Sequence, residues 1–382
     1  MTRRLIVATC LLAALQAAAP SAEAAKRRVP RGFFGTIFDG PVKDAAAPLV
    51  TQEFGRMASS GVESVRTNFF WSEGQPSPGV TDFSRTDALV REAATHGLSL
   101  LPVVTASPRW ARQYPSKTGS PPKRVADYTA YLEALVKRYG PKGTFWTEAT
   151  DVPKRPIREW QIWNEPELPY QWHRPANKGF KSVAPAYGAL LRASRHKLKG
   201  LDGGAKVVLA ALTNKSWNDL ATLFAHGRIR RQFDVAGLNA YSKKSADFMV
   251  IAEAFRKVLR RNGHKGTPIW VTEFTAPAAK GRIRIPSYQA RFVTTDRGMA
   301  SLLKSAYGRF ATRGLRRFGI KRAYWYTWAS SYRAGQTLGF FEFAGLRRLS
   351  GGALSDRPAL RSFRAAARSY EGCAKTSTAK CK

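Results

Sequence analysis

Eight short runs of apolar, β-branched and aromatic residues recur along this chain, and they constrain its fold more than any other feature. The runs lie at residues 33–38, 63–70, 98–104, 157–163, 206–212, 233–239, 269–273 and 322–328. Most are bounded by Gly, Pro or Asn, which is typical of strands that are buried on both faces in a parallel sheet.

Helices are predicted between these strands. One is expected to begin at Ser84 as its N-cap and to end at Gly97, and another is expected to end at Gly263. Further helices are predicted near 123–139, 182–199, 287–313 and 356–369. Eight strand–helix units in one chain indicate an α/β fold of the (β/α)₈ TIM-barrel class, as a single domain.

The barrel domain is predicted over residues 31–370, with an insertion at 140–155 that belongs to it. The alternative is a doubly wound open sheet, which usually carries a glycine-rich phosphate-binding turn after its first strand. Residues 35–40, Gly-Thr-Ile-Phe-Asp-Gly, do not supply such a turn.

The N-terminal residues read as a targeting segment. Arg3 and Arg4 precede an apolar stretch at 5–19, which predicts a cleaved signal peptide over residues 1–25. The protein is therefore expected to be secreted or extracytoplasmic. A lipoprotein signal that uses Cys10 is the alternative, but Cys10 lies inside the apolar run and makes a poor processing site.

The C-terminal tail, residues 371–382, contains Cys373 and Cys381. In an exported chain, two cysteines at this spacing are predicted to pair with each other, with two free thiols as the alternative. In either case they lie beyond the predicted core and are not expected to take part in catalysis.

The charge of the chain raises a separate question, because 63 Lys and Arg stand against 26 Asp and Glu, a formal net charge of +37. Such an excess is common among nucleic-acid-binding proteins, but the sequence contains no groove-entering element or aromatic platform, so no nucleic-acid partner is predicted. For an exported chain, we expect the basic surface to bind an anionic envelope polymer or an acidic polysaccharide.

After the predicted signal peptide, no segment reaches the roughly 20 apolar residues of a membrane span.

Two glutamates end predicted strands, which is where a barrel carries its active site. The fourth strand runs into Glu165 within Trp-Asn-Glu-Pro-Glu, and the seventh runs into Glu273 within Trp-Val-Thr-Glu-Phe. Because the C-terminal ends of barrel strands meet at one mouth, these carboxyl groups are expected to face each other. Glycosidic bond cleavage needs such a pair, one protonated and one ionised. Either glutamate alone would more simply be an exposed or helix-capping residue, and it is the pairing that favours catalysis.

Other strand ends carry motifs that fit the same chemistry. They are Trp71 followed by Gln-Pro-Ser-Pro-Gly at 75–79, Ser-Pro-Arg-Trp at 107–110, Tyr-Trp-Tyr-Thr-Trp at 324–328 and Asp-Arg-Pro-Ala-Leu at 356–360. Together with Trp-Asn-Glu-Pro at 163–166 and the second glutamate, this ordered set resembles the clan A glycoside hydrolases, particularly families 39 and 5. The resemblance covers nearly all of residues 32–370 and implies a TIM-barrel fold and a retaining mechanism.

The resemblance also implies roles for individual residues. Glu165 would be the general acid/base and Glu273 the nucleophile, with the carboxyl groups about 5–5.5 Å apart as retention requires. Asn164 would bind the sugar 2-hydroxyl. Arg66 and Tyr241 would donate hydrogen bonds to Glu273. An ordinary ion pair at the barrel mouth is the alternative for Arg66.

Four tryptophans and one residue that departs from the family pattern complete the predicted site. Trp328 would form the floor beneath the bound sugar, and Trp71, Trp110 and Trp172 would be walls of neighbouring subsites, with plain packing as the alternative for Trp71 and Trp172. Asn239 stands where many members carry His, two residues before the strand-six tyrosine. An amide cannot share a proton at neutral pH, so we expect this change to affect recognition of sugar hydroxyls more than the chemistry.

The function predicted from the sequence is a secreted retaining glycosidase that acts on an oligo- or polysaccharide. No cofactor and no metal are predicted, because the five histidines show no metal-ligand spacing. The absence of a Gly-x-Ser-x-Gly elbow gives no support to a serine hydrolase. The alternatives are a catalytically inactive glycan-binding barrel and a basic envelope-associated protein, and a transglycosylase would use the same intermediate.

Overall fold

The structure, a computed structural model, describes residues 27–213, 215–331 and 339–371. The predicted signal peptide and the predicted Cys373–Cys381 disulfide lie outside these residues. Among the residues within them, no helix combines the length and the apolar character needed to cross a membrane.

Eight parallel strands form the barrel that the sequence predicts. They are β1 (Phe34–Ile37), β2 (Ser64–Phe70), β3 (Ser99–Thr105), β4 (Glu159–Ile162), β5 (Lys206–Val208), β6 (Ala236–Tyr241), β7 (Ile269–Thr275) and β8 (Ile320–Trp325). Their order is β5-β4-β3-β2-β1-β8-β7-β6, and parallel bridges from Val208 to Val235 and from Leu212 to Leu238 close the ring between β5 and β6. Closure brings the C-terminal ends of all eight strands to one mouth.

Helices surround the barrel. In the described part of the chain they are α1 (Ala47–Ser59), α2 (Trp71–Gly74), α3 (Ser84–Thr95), α4 (Val125–Tyr139), α5 (Phe145–Glu148), α6 (Phe180–Leu201), α7 (Ser216–His226), α8 (Ser245–Arg261), α9 (Asp296–Arg309) and α10 (Pro358–Glu371). The sequence analysis does not predict α1 or α7. In α1 the buried face includes Glu53 beside Val50, Phe54 and Met57, so a charged residue interrupts the apolar periodicity.

Two predicted helix boundaries change. The helix predicted at 287–313 is a 3₁₀ turn followed, from Asp296, by α9, which continues into a π-helical stretch, Phe310–Phe318. Ser84 does not cap α3 but is its first residue, because the carboxylate of Asp82 already accepts its backbone N–H at 2.8 Å. Gly97 and Gly263 follow α3 and α8 with φ of 70° and 85°, as predicted for helix stops.

The lower part of the barrel is packed and sealed. Inward side chains from several strands form one apolar cluster there, comprising Ile37, Leu101, Val208, Val235, Trp270 and Tyr324. The guanidinium of Arg322 lies 4.1 Å from the centre of the Trp270 ring and donates to Glu159 Oε1 at 2.9 Å. The interior is therefore a core and not a channel, which leaves the upper layer at the mouth for chemistry.

A second small sheet follows the barrel. Its strands are β9 (Ala329–Ser331), β10 (Arg347–Ser350) and β11 (Ala353–Asp356), in the order β11-β10-β9. The sequence predicts one strand over 322–328, but β8 ends at Trp325 and the chain turns before β9. Because of this turn, Tyr326 packs against the interior cluster of the barrel whereas Trp328 joins the core outside it.

Candidate active site

Glu165 lies on a tight turn immediately after β4. Trp163 and Glu165 adopt φ values of 67° and 43°, a left-handed backbone that costs non-glycine residues about 1–2 kcal/mol each. Two hydrogen bonds hold the turn, from the Trp163 N–H to the Val104 carbonyl and from the Glu165 N–H to the Ala211 carbonyl, both at 3.0 Å. The neighbouring strands thus impose the conformation that presents Asn164 and Glu165 at the mouth.

Glu273 lies at the end of β7, beside a bulge in the pairing with β6. Leu238 pairs with Val271, but the next residue, Asn239, pairs with Glu273. Thr272 is therefore an extra residue in β7 that has no partner in β6. Bulges re-aim side chains, and they are common next to active sites. Here the side chain of Glu273 enters the barrel mouth with only 7% of its surface exposed.

Two donors hold the carboxylate of Glu273. Arg66 Nη1 donates to Oε1 at 2.8 Å, and the hydroxyl of Tyr241 donates to Oε2. The same guanidinium donates to Asn164 Oδ1 at 2.8 Å through Nη2 and to Gln161 Oε1 at 2.9 Å through Nε. One arginine therefore contacts residues on both β4 and β7 and the turn after β4, and both oxygens of Glu273 serve as acceptors, as in an ionised carboxylate.

Glu165 has a different environment. Burial, together with the nearby charge of Glu273, raises its pKa to about 8 against the opposing effects of a hydrogen bond from Asn239 and the charge of Arg66. Asn239 Nδ2 donates to Glu165 Oε1 at 2.7 Å, and its Oδ1 accepts from the Thr272 hydroxyl at 2.9 Å. At neutral pH, Glu165 is therefore largely protonated, whereas both carboxyl oxygens of Glu273 accept hydrogen bonds.

The structure corrects the expectation for Asn239. The sequence analysis assigns its replacement of His to the recognition of sugar hydroxyls, but the side chain contacts Glu165 itself and is 1% exposed. The NH₂ group of the amide faces Glu165, and its oxygen accepts from the Thr272 hydroxyl. Asn239 therefore acts directly on the pKa of Glu165.

Asp39 and Tyr326 are site residues that the sequence analysis missed. Asp39 follows β1 and accepts hydrogen bonds from the hydroxyls of Thr327 and Tyr326. Burial, with the charge of Glu273, raises its pKa to about 6, which places Asp39 near Glu273. Its position directly after the first apolar run was a usable signal, because functional residues collect at strand ends.

Trp328 is not at the site. Its side chain has no exposed surface, and its Nε1 donates to Glu53 Oε2 at 2.8 Å beneath α1. A fully enclosed indole cannot stack on a sugar, so the prediction for Trp328 is wrong. Tyr326 takes the position at the mouth, with its ring 5.5 Å from that of Phe341, which is also 5.2 Å from the ring of Tyr241.

Of the other three predicted tryptophans, two are buried packing residues and one keeps an exposed surface. Trp71 is fully buried between Trp110 and the aromatic residues of α4, and Trp172 packs edge-on against Trp163 with ring centres 5.2 Å apart. Both are packing residues, as the alternative reading held. Trp110 is half-buried, and its Nε1 donates to the Gln75 carbonyl at 3.1 Å, so it keeps a surface that faces solvent.

Tyr170 is a further aromatic residue at this mouth. Its side chain is 68% exposed, and the charges of Glu165, Glu273 and Glu167 act on its hydroxyl, which places Tyr170 near these carboxyl groups. The sequence analysis did not single it out, because it lies in a loop with no periodicity. Among the described residues, no three His, Cys, Asp or Glu side chains are placed to hold a metal ion.

The sequence matches no family model and no curated protein. Solved structures are similar to it over most of its length. A family 39 glycoside hydrolase from Bacteroides cellulosilyticus WH2 superposes with a TM-score of 0.62 at 16% identity, covering 89% of this chain and 64% of that one. This chain thus spans slightly less than two thirds of that protein.

Two other structures give the same result. A monomeric β-xylosidase from Caulobacter crescentus CB15 has a TM-score of 0.62 at 15% identity, and the match covers 89% of this chain and 69% of the β-xylosidase chain. A GH5_18 protein from Streptomyces cattleya, solved with Manβ1-4GlcNAc, has a TM-score of 0.64 at 15% identity. The match covers 89% of this chain and 81% of that one. At this identity the likeness establishes the fold: the chain has the (β/α)₈ barrel found in glycoside hydrolases of families 39 and 5.

Proposed function

We propose that this protein is a retaining glycoside hydrolase that cleaves O-glycosidic bonds of an oligo- or polysaccharide. The observation that carries the proposal is the split between two carboxyl groups at one barrel mouth. Arg66 and Tyr241 hold Glu273 as an acceptor, whereas burial raises the pKa of Glu165 to about 8. A protonated acid opposite an ionised nucleophile is the arrangement that double displacement requires.

In the first step, Glu273 attacks the anomeric carbon as the bond to the leaving oxygen breaks. Glu165 transfers its proton to that oxygen, so the aglycone departs as a neutral alcohol and Glu165 becomes a carboxylate. The product is a covalent glycosyl ester of Glu273. As the negative charge of Glu273 is consumed, the Coulombic contribution that raises the pKa of Glu165 disappears, which favours its ionised state for the next step.

In the second step, Glu165 accepts a proton from a water molecule, and the resulting hydroxide oxygen attacks the anomeric carbon. The ester bond to Glu273 breaks, its carboxylate is restored, and the sugar leaves with its original anomeric configuration. Interception of the same ester by a sugar hydroxyl in place of water would make the protein a transglycosylase.

Substrate contacts follow from the surroundings of the two carboxyl groups. Asn164 Oδ1 is occupied by Arg66, so its Nδ2 is the group that would bind the sugar 2-hydroxyl. Asp39 and Tyr326 would bind hydroxyls on the other side of the ring, and Trp110 and Tyr170 would contact neighbouring sugars. The solved structures with this fold include a β-xylosidase and a protein that holds a β-linked disaccharide, and we propose β-linked glycans as substrates here.

The test is a comparison of the wild type with Glu273→Gln on a panel of aryl glycosides and polysaccharides. The wild type is expected to release product with retained configuration by NMR, whereas Glu273→Gln folds but does not turn over. A mechanism-based glycoside inactivator is expected to label Glu273 in the wild type. Absence of both turnover and labelling would favour an inactive glycan-binding barrel, and an inverted product would remove Glu273 as nucleophile.

We also propose that the protein is exported and retained by an anionic envelope polymer. At the barrel end opposite the mouth, Arg155, Arg230 and Arg231 are exposed and form no ion pair within the described ranges, which supports this idea. N-terminal sequencing of the protein from culture medium or envelope is expected to begin after the signal peptide. Retention on anionic glycans that is no stronger than on neutral glycans at low salt would contradict the proposal.

A further inference from the structure

A cavity of about 820 Å³ lies near the two carboxyl groups, between the loops that follow β4, β5, β6 and β7. Its walls include Glu167, Thr213 and Trp217 on one side and Tyr241 and Phe292 on the other. A volume of this size is typical of a small-molecule site.

The cavity borders residues that interact with Glu165 and Glu273. Tyr241 contributes to its wall, and the hydroxyl of Tyr241 donates a hydrogen bond to Glu273. Glu167, two residues after Glu165, lies on its other wall, and the charge of Glu165 acts on the carboxyl of Glu167. A glycan with one sugar at the catalytic pair can therefore place the next residue in this cavity.

Four cations surround the cavity: Lys215, Lys243, Lys244 and Arg291. All four are exposed, and none is within ion-pair distance of a carboxylate belonging to the described residues. Lys243 Nζ donates to the Ala290 carbonyl at 3.1 Å, and the guanidinium of Arg291 lies 4.8 Å from the centre of the Phe292 ring. The cavity is thus lined by four exposed cations that form no ion pair with a carboxylate of the described residues.

The acidic residues of the cavity are fewer than the basic ones, because Glu167, Asp219 and Asp247 stand against the four cations. Glu167 is 8% exposed, and burial, with the charge of Glu165, raises its pKa well above its usual range, which favours its neutral form. Its Oε1 accepts the Thr213 N–H at 2.7 Å. Asp247 accepts from the Ser242 hydroxyl at 2.6 Å, and burial raises the pKa of Asp219 to about 6.

We propose that this cavity binds an acidic sugar residue of the substrate, one that carries a carboxylate or a sulfate, next to the catalytic pair. The proposal rests on the proposed glycosidase function and adds the substrate class. Lys243 and Arg291 would bind the anionic substituent through charge-assisted hydrogen bonds. The half-buried indole of Trp217 offers an apolar face to the sugar ring.

The experiment measures binding and turnover of three oligosaccharides of equal length. Cellotetraose is neutral, β-1,4-tetraglucuronate carries carboxylates on the same backbone, and 6-O-sulfated cellotetraose carries sulfates. Affinity is measured by calorimetry on Glu273→Gln, which does not depend on turnover, and kcat/KM is measured on the wild type. We expect at least one acidic oligosaccharide to bind at least 10-fold more tightly than cellotetraose, and the two acidic probes distinguish carboxylate from sulfate.

A matched pair of variants separates the cavity from the general positive charge of the protein. Lys243→Gln with Arg291→Gln removes two charges at the cavity, and Lys304→Gln with Arg361→Gln removes the same two charges from exposed positions on α9 and α10. The cavity variant is expected to lose at least 10-fold in affinity for the acidic oligosaccharide and to stay within twofold for cellotetraose. The control variant is expected to stay within twofold for both.

Three outcomes would overturn the proposal. They are equal or weaker binding of both acidic oligosaccharides, an equal loss for acidic and neutral oligosaccharides in the cavity variant, and an equal loss of preference in both variants. The last would assign the preference to long-range attraction by the whole surface. Failure of the glycosidase function is a separate result, seen as no turnover of any glycan and no labelling of Glu273, while the binding preference is still measured.

Discussion

Asn239 Nδ2 donates a hydrogen bond of 2.7 Å to Glu165 Oε1, and the other end of the same amide is held by the Thr272 hydroxyl at 2.9 Å. In this orientation the amide supplies a donor to the carboxyl that we propose as the acid/base. It favours the ionised form of Glu165 and opposes the burial that raises the pKa of Glu165 to about 8. Asn239 thus sets how far up the pH scale Glu165 stays protonated.

Asn239→Leu is expected to move the alkaline limb of the kcat/KM profile to higher pH by about one pH unit, because it removes a donor to an ionised group. Activity is lost as pH rises through the pKa of Glu165, and loss of the donor raises that pKa. Thr272→Val, which only releases the amide, is expected to give a smaller shift in the same direction. A shift to lower pH in Asn239→Leu would show that the contact does not act on the acid.

Arg66→Lys is expected to lower kcat/KM at least 100-fold. An ammonium group cannot reach Gln161, Asn164 and Glu273 in the planar geometry that the guanidinium uses. Arg322→Lys is the matched control, because Arg322 also lies inside the barrel but pairs with Glu159 at the opposite end. It is expected to lower Tm with little change in kcat. Comparable losses of kcat/KM in both variants would indicate that Arg66 acts only through stability.

Trp328→Phe is expected to reduce the free energy of unfolding by about 1–3 kcal/mol, because it leaves the buried carboxylate of Glu53 without its indole donor. KM is expected to stay unchanged, since the ring has no exposed surface. Trp110→Ala is expected to do the reverse, raising KM with a smaller loss of stability. Chemical denaturation and steady-state kinetics on both variants separate the two roles. A raised KM for Trp328→Phe would indicate that Trp328 contacts the substrate after all.

Glu165→Gln is expected to stabilise the protein at pH 8 but not at pH 4.5. Burial raises the folded-state pKa of Glu165 to about 8, above its unfolded value, so its contribution to stability is full below about pH 4.3 and is lost as pH rises toward 8. The variant escapes this loss, which is on the order of a few kcal/mol.

Thermal melts of Glu165→Gln and the wild type across this pH range measure the effect as a difference in Tm. Asp151→Asn serves as a control, since that carboxylate is 72% exposed and its replacement is expected to give a small difference that does not grow between pH 4.5 and 8. A Tm difference for Glu165→Gln that is constant with pH would mean that Glu165 is already ionised in the folded protein.

Residues close to a regular strand could be assigned from the sequence alone. The eight apolar runs predict the barrel, and the barrel places Glu165 and Glu273 at one mouth. Arg66 and Tyr241 lie within β2 and β6, where strand alternation and family resemblance agree, and both contact Glu273 as expected. These assignments hold because a closed parallel barrel has one place where strand ends meet.

Only the tertiary structure decided the contacts of residues that lie beyond the regular part of a strand. Trp328 and Tyr326 are two residues apart, so strand alternation would put them on the same face, but the chain turns after Trp325 and they enter different cores. The bulge at Thr272 places Asn239 opposite Glu273, Asn239 contacts Glu165, and four loops far apart in sequence join to form the cationic cavity. The sequence determines which side chains reach the mouth, whereas bulges and loops determine which atoms they contact there, because neither leaves a periodic signal.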